Sequence, residues 1–158
     1  EDGEGDNTTG LRERLVEVIR RDRPDVVLTS DPTAVFFGDT YVNHRDHREI
    51  GWAVLDAVTP GAANPSYYPA TGEPHQVREV YLSGTLEPNV GVDIAATIDV
   101  KVAALACHVS QLIDAPVGLA GAAGSDELVA EVVRSRAAAD GRHAGLDLAE
   151  GYRRSRLA

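Results

Sequence analysis

The sequence has no methionine, one cysteine and no long apolar run. No stretch approaches the roughly 18 to 20 apolar residues of a membrane span, so we predict no transmembrane helix. The lone Cys107 excludes an intrachain disulfide framework and a zinc site built from several cysteines. This fits a reducing compartment, and we expect a cytoplasmic location. Because residue 1 is not methionine, we expect a processed chain or a piece of a longer one.

Clusters of basic residues are also missing. Lys and Arg number 15 against 25 Asp and Glu, and the formal net charge is -10. Nucleic-acid binding requires a basic face, so this class of function is excluded. The 43% apolar and 25% charged residues are ordinary for a globular protein. The length predicts a single domain over residues 1–158, in which residues 1–10 form a linker or loop.

Helical and strand patterns alternate along the chain, which predicts an α/β fold. Strands are predicted in "DVVLTS", "QVREVYLSG" and "NVGVDI", and the first has the continuous apolar character of a buried strand in a parallel sheet. Helices are predicted from about Leu11 to Arg21, from Asn43 or His44 to about Val58, from about Ala95 to Leu112, from Asp126 to Ala139, and in the tail "GLDLAEGYRRSRLA".

The stretch "YVNHRDHREIG", residues 41–51, carries two histidines at the start of the second predicted helix. His44 and His47 are three residues apart and therefore lie on one side of that helix. They follow the carboxyl end of a strand, where ligands bind in open α/β sheets. Neutral imidazoles suit zinc, and Asp46 can bind or orient an imidazole. The spacing also allows a solvated helix start with two surface histidines and Asp46 stabilising the dipole.

The longer stretch "RPDVVLTSDPTAVFFGDTYVNHRDHREIGWAVLDAV" resembles the middle segment of the LmbE-like, or GlcNAc-phosphatidylinositol de-N-acetylase-like (PIG-L), zinc deacetylases. The similarity continues in "REVYL", in "KVAALACHVSQ" and in "LAEGYRRSR". The resemblance implies a Rossmann-like three-layer parallel sheet with flanking helices, of which this chain is the C-terminal part. It also implies a zinc-dependent amide hydrolase that removes the acetyl group from an N-acetylated amino sugar or its conjugate.

The resemblance also assigns roles to single residues. It implies that His47 is a zinc ligand and that His44 lies beside the reacting carbonyl, as an imidazolium or a general acid. Asp46 would hold the His44 imidazole in its tautomer. Tyr41 would bind substrate as a donor from the loop, and His108, in the motif of the third helix, would line the pocket or pack as a structural histidine.

Part of the family pattern is missing from this sequence. The family opens with an H-P-D-D-E-type motif, which supplies two further zinc ligands and a general base, and no counterpart is present. We therefore expect an N-terminally incomplete domain, with zinc binding weak or absent and no activity without the missing segment. Arg45 also stands where the family usually has proline, which brings a cation close to the expected metal.

Two other interpretations stay open. In one, the chain is not an enzyme but a truncated, non-catalytic family member that acts as a binding or partner module. A different metal hydrolase would combine the histidine pair with a carboxylate such as Asp31 or Asp39. The expected small-molecule partner is an amino-sugar substrate. We also expect an exposed apolar sheet edge, which would pair with a second copy of the chain or with the missing N-terminal segment. Tyr67 and Tyr68 are candidates for stacking on a sugar ring.

Overall fold

A computed structural model describes residues 3–108 and 126–157 of the chain. None of the described helices is both long and apolar enough to cross a membrane. The elements, in chain order, are α1 (Thr9–Asp22), β1 (Val26–Ser30), β2 (Phe36–Phe37), β3 (Tyr41–Val42), α2 (Arg45–Asp56), β4 (Glu79–Ser83), β5 (Val90–Asp93), α3 (Ile98–Ala106), α4 (Asp126–Ala144) and β6 (Ala149–Arg156).

The main sheet has the strand order β1-β4-β6-β5, and β2 pairs with β3 in a separate two-stranded hairpin. β1 and β4 are parallel, with Val26 opposite Glu79 and Ser30 opposite Ser83. β6 runs antiparallel to β4, so the predicted α/β fold is confirmed but the sheet is mixed and not wholly parallel.

The prediction of a terminal helix in the tail is wrong, because these residues form strand β6. Alanine, glutamate, leucine and arginine favour a helix locally, but partner strands decide the conformation of such a segment. Here Tyr152 packs edge-on against Tyr81 of β4, with ring centroids 5.7 Å apart. Backbone pairing with β4 and this ring contact outweigh the local propensity.

The described residues form two compact units, one within Glu1–Asn89 and Tyr152–Ala158 and the other within Val90–Gly151. In the first, α1 begins at Thr9, two residues before the predicted start near Leu11, because the Thr8 hydroxyl caps the helix by accepting a hydrogen bond from Leu11 N–H at 3.1 Å. Its core joins α1, α2 and the sheet through Val16, Ile19, Val54, Ala57, Val58, Ala62, Val77, Val80 and Leu82.

The second unit packs α3 against α4 around Ile98, Val129, Val133 and Ala137. α3 ends at Ala106, and the rest of the helix predicted to reach Leu112 lies outside the described residues beyond His108. Within the described residues, α4 covers Asp126–Ala144 and continues past its predicted end at Ala139.

The sheet of the first unit is covered on one face. Val27, Val80 and Leu82 point into the core with α1 and α2. On the opposite face of β1, Val26 is 50% exposed and Leu28 is 60% exposed. The prediction that this strand is buried on both faces is therefore wrong for the described chain. β1 is also the terminal strand of the sheet, so its outer backbone edge has no strand partner among the described residues.

Candidate active site

The two histidines lie at the start of α2, on the side of the sheet where β1 ends. α2 packs directly on that end, because a Cβ added to Gly51 would lie 2.6 Å from the Ser30 carbonyl oxygen and 3.0 Å from Pro32 Cδ. Only glycine permits this approach. The glycine therefore allows α2, which begins at the histidine pair, to pack closely on the end of β1 and on Pro32.

A row of four rings runs from the hairpin to the helix. The ring centroids are 5.9 Å apart between Phe37 and Tyr41, 6.0 Å between Tyr41 and His44, and 5.6 Å between His44 and His47. The two contacts made by His44 are stacked, with interplanar angles of 28° and 27°. The structure thus brings together three of the residues predicted for the site, Tyr41, His44 and His47.

His44 is the N-cap residue of α2, but its side chain makes no capping hydrogen bond. Both His44 and His47 are exposed. Their imidazoles are therefore not used to stabilise the helix start and face solvent, where a substrate or a further protein segment has access to them.

Two buried polar side chains shape the loop between β1 and α2. The Asp31 carboxylate, 1% exposed, accepts hydrogen bonds from Thr33 N–H at 2.9 Å and from the Thr33 hydroxyl at 2.6 Å. The Asn43 amide donates to the Ala34 carbonyl at 2.9 Å. Sequence reasoning considered Asp31 only as a metal ligand and Asn43 only as a helix start. The signal for both was a turn-forming side chain at each end of the loop.

The charge of Asp31 is stabilised by its surroundings. Burial by itself raises the pKa of this carboxyl group, but hydrogen bonds from Thr33 and Thr85, together with the positive charge of Arg153, outweigh the burial and hold the pKa below its ordinary value. Asp31 therefore stays ionised at neutral pH and keeps the hydrogen bonds that define the loop.

Asp46, predicted to orient His44, is held by the segment Gly3–Asn7. Its Oδ2 accepts a hydrogen bond from Gly3 N–H at 2.6 Å and its Oδ1 accepts one from Gly5 N–H at 3.0 Å. Arg45 forms an ion pair with Asp6. The hydrogen bond from Arg45 to Asp6 and the negative charge of Asp6 raise the pKa of the Arg45 guanidinium above its ordinary value.

Three other residues singled out from the sequence make no contact with this row in any described interaction. His108 belongs to the second unit, where it follows the end of α3, is exposed, and donates its backbone N–H to Leu105 O at 3.0 Å. Tyr67 and Tyr68 lie at the amino end of β1, because the carbonyls of both bind Arg20 in the last turn of α1. The histidine pair lies beyond the opposite end of that strand, so Tyr67 and Tyr68 are not part of the site.

The described side chains do not complete a zinc site. Within residues 3–108 and 126–157, no group of three or more His, Cys, Asp or Glu side chains is arranged to hold a metal ion. A protein zinc site requires three or four such ligands, and His47 would be one of them.

Comparison with curated proteins identifies deacetylases. No family model matches the chain. Diacetylchitobiose deacetylase of Thermococcus kodakarensis is 36% identical over 107 residues, which cover 66% of this chain and 38% of that protein. The 1D-myo-inositol 2-acetamido-2-deoxy-alpha-D-glucopyranoside deacetylase of Rhodococcus jostii is 31% identical over 148 residues, 73% of this chain and 48% of that protein. The deacetylase 2 of the same description from Saccharopolyspora erythraea is 40% identical over 67 residues, 42% of this chain and 22% of that protein. The chain thus spans less than half the length of each of these relatives.

Solved structures of similar fold cover almost the whole chain. N,N'-diacetylchitobiose deacetylase from Pyrococcus horikoshii aligns with a TM-score of 0.77 at 24% identity, over 99% of this chain and 55% of that one. The conserved protein TT1542 from Thermus thermophilus aligns with a TM-score of 0.70 at 25% identity, over 95% of this chain and 60% of that one. With the histidine motif, the fold and the deacetylase relatives taken together, the chain belongs to the LmbE-like, or GlcNAc-phosphatidylinositol de-N-acetylase-like, family.

Proposed function

We propose that the chain is part of an N-deacetylase, an amide hydrolase that removes the acetyl group from an N-acetylated amino sugar or its conjugate. The observation that carries the proposal is the stacked row of Tyr41, His44 and His47 at the start of α2, beyond the carboxyl end of β1. The curated relatives support the substrate class, because their names describe deacetylases of diacetylchitobiose and of an acetamido sugar linked to inositol.

His44, Asp46 and Tyr41 have separate roles in the proposal. His44 donates a hydrogen bond, or a proton, to the acyl oxygen as negative charge develops on it. Asp46 orients the His44 imidazole, and Tyr41 contributes a second donor from the hairpin. The exposure of the two site histidines fits a role toward a ligand better than a role in packing.

In this proposal, zinc binding requires the rest of the domain. When bound, zinc supplies Lewis-acid polarisation and an ionised water in amide hydrolysis. His47 would be one ligand, and the other ligands would come from a segment that the described chain does not contain. We therefore propose that the 158-residue chain alone binds zinc weakly or not at all and is inactive.

The uncovered sheet face is the proposed docking surface for that segment. All-parallel sheets occur almost only with both faces covered, and the β1–β4 part of this mixed sheet is parallel, but the outer face of β1 leaves Val26 and Leu28 exposed. The relatives carry more than half of their length outside the matched region. We propose that the remaining part of the family domain covers this surface, adding a strand along β1 and helices over this face.

Mixing the chain with that remaining part tests the docking surface. Leu28→Lys places a charge at the centre of the contact and is expected to abolish binding. Leu86→Lys is the matched control, because Leu86 is also exposed, at 54%, but lies in the loop after β4. Binding that survives Leu28→Lys contradicts the surface. Self-association of the chain that is lost with this variant assigns the face to a second copy.

The alternative is a non-catalytic binding or partner module, favoured by the incomplete set of metal ligands among the described residues. The discriminating measurement is the zinc content and acetate release of the chain combined with the upstream part of the domain. His47→Ala is expected to remove both zinc and activity, and His75→Ala is the matched control because the His75 imidazole contacts the Pro24 carbonyl oxygen at the other end of β1. A combined protein without zinc supports the module.

A further inference from the structure

The segment Gly3–Asn7 is bound along α2 by three acidic side chains. The two oxygens of Asp46 accept the N–H groups of Gly3 and Gly5. Glu49 Oε2 then accepts Asn7 N–H at 3.1 Å. Farther along the helix, Asp56 Oδ2 accepts from the Asn7 side-chain amide at 3.2 Å. Positions 46, 49 and 56 lie on one side of a helix, so the segment follows a single face of α2.

Arg45 holds the same segment from the neighbouring position. Its guanidinium forms an ion pair with Asp6 and donates a hydrogen bond to the Gly3 carbonyl at 3.2 Å. Its contacts therefore fall on both sides of Gly5. The family's usual proline at this position has no side-chain donor and cannot make these contacts.

Gly5 is fitted closely to Asp46. A Cβ added to Gly5 would lie 2.8 Å from Asp46 Oδ1, a distance that side-chain carbons do not adopt without a shift of the neighbour. Two N–H donors that converge on one carboxylate restrict its rotation, because each oxygen is tied to a separate point of the backbone.

We propose that Arg45 is a positioning residue: paired with Asp6, it clamps the segment Gly3–Asn7 onto the start of α2, and the N–H groups of Gly3 and Gly5 then fix the carboxylate of Asp46. Arginine thus replaces the rigidity that proline gives to a first helical position with a contact between distant parts of the chain. The consequence for catalysis rests on the proposed function, in which Asp46 orients His44.

Amide hydrogen exchange of the full 158-residue chain tests the clamp without any enzymatic assay. The Gly3 and Gly5 amides are expected to be protected in the wild type. Arg45→Ala should accelerate their exchange about tenfold or more, as expected when hydrogen bonds to a charged group are lost. Arg45→Lys should restore much of the protection, because a lysine ammonium still reaches Asp6.

Two further variants separate the clamp from general unfolding. Gly5→Ala leaves Arg45 intact and is expected to accelerate exchange of the Gly3 amide and of the amide at position 5, while amides in the core of α1 keep their protection. Arg78→Ala removes another exposed ion pair, with Asp25 at 3.2 Å, and is expected to change neither amide. Exchange of Gly3 and Gly5 at the rate of an unstructured peptide in the wild type, or rates unchanged by Arg45→Ala, would overturn the proposal.

The effect on catalysis is measured in the protein combined with the rest of the domain. Arg45→Ala is expected to lower kcat with little change in KM, and Arg45→Lys to recover it, because a positioned Asp46 acts on the reacting state and not on substrate binding. An unchanged kcat in Arg45→Ala refutes the catalytic consequence. A wild-type protein without deacetylase activity refutes the proposed function, and the exchange rates still decide the clamp.

Discussion

Replacement of Arg20 by methionine should remove the main support of the loop between α2 and β4. Arg20 is 4% exposed. Its guanidinium donates at 2.9 to 3.2 Å to six backbone carbonyls and one hydroxyl, those of Gly61, Ala62, Asn64, Tyr67, Tyr68, Gly72 and Thr71. None of these acceptors is a carboxylate, so the charge is stabilised by backbone dipoles of a single loop.

The expected cost follows from these contacts. Hydrogen bonds to a charged group contribute about 1.5 to 3 kcal/mol each, and five N–H donors share the seven acceptors, so the contributions do not add fully. Breaking a buried charged network costs about 3 to 5 kcal/mol. Arg20→Met should therefore lower the free energy of unfolding by about 4 kcal/mol, and Tm by roughly 10 °C for a chain of this size.

Urea and thermal unfolding followed by circular dichroism measure this change. Arg21→Met is the matched control one position along the same helix, because Arg21 is exposed and its ion pair is with the adjacent Asp22. This control should unfold like the wild type. Arg20→Lys should be intermediate, since lysine has three donors in place of five. An Arg20→Met variant that unfolds at the same urea concentration as Arg21→Met would refute the role assigned to the guanidinium.

Two other predictions concern the supports of the site. Gly51→Ala should destabilise the protein by about 1 kcal/mol, because overpacking against the Ser30 carbonyl exceeds the gain in helix propensity; Gly10→Ala, with open space around its Cβ, should instead stabilise by up to about 1 kcal/mol. Urea unfolding that gives both variants the same sign contradicts this packing. The pKa of Asp31 is lowered in the folded state, so its carboxylate stabilises the fold above its ordinary pKa of 3.8, and this contribution is lost as pH falls through the folded value. The stability difference between wild type and Asp31→Asn should therefore shrink between pH 7 and strongly acidic pH, and a constant difference in urea unfolding contradicts the assignment.

Local signals predicted the first half of the chain well. The first helix, the strand in "DVVLTS" and the second helix, whose N-cap is His44, depend on neighbouring residues, and each is confirmed. The tail was predicted wrongly because β6 depends on pairing with β4, some 70 residues earlier, a contact that no local pattern contains.

The site was predictable only in part for a similar reason. The spacing of His44 and His47 fixed their common side of the helix, and their stacking follows. The contact of Asp46 with Gly3 and Gly5 joins residues about 40 positions apart, as the sequence separations of 43 and 41 show. Such a contact has no periodic signature, so the pairing of Arg45 with this segment could not be predicted from the sequence.

The proposed function is that this chain supplies one part of an amino-sugar N-deacetylase site and that the upstream part of the domain supplies the other. Acetate release from N,N'-diacetylchitobiose by the chain combined with the upstream part of its domain, with and without His47→Ala, tests it most directly. We expect release by the combined protein, none by the 158-residue chain alone, and none by the combined His47→Ala variant. Full activity of that variant, or no activity of the combined wild-type protein, would contradict the claim.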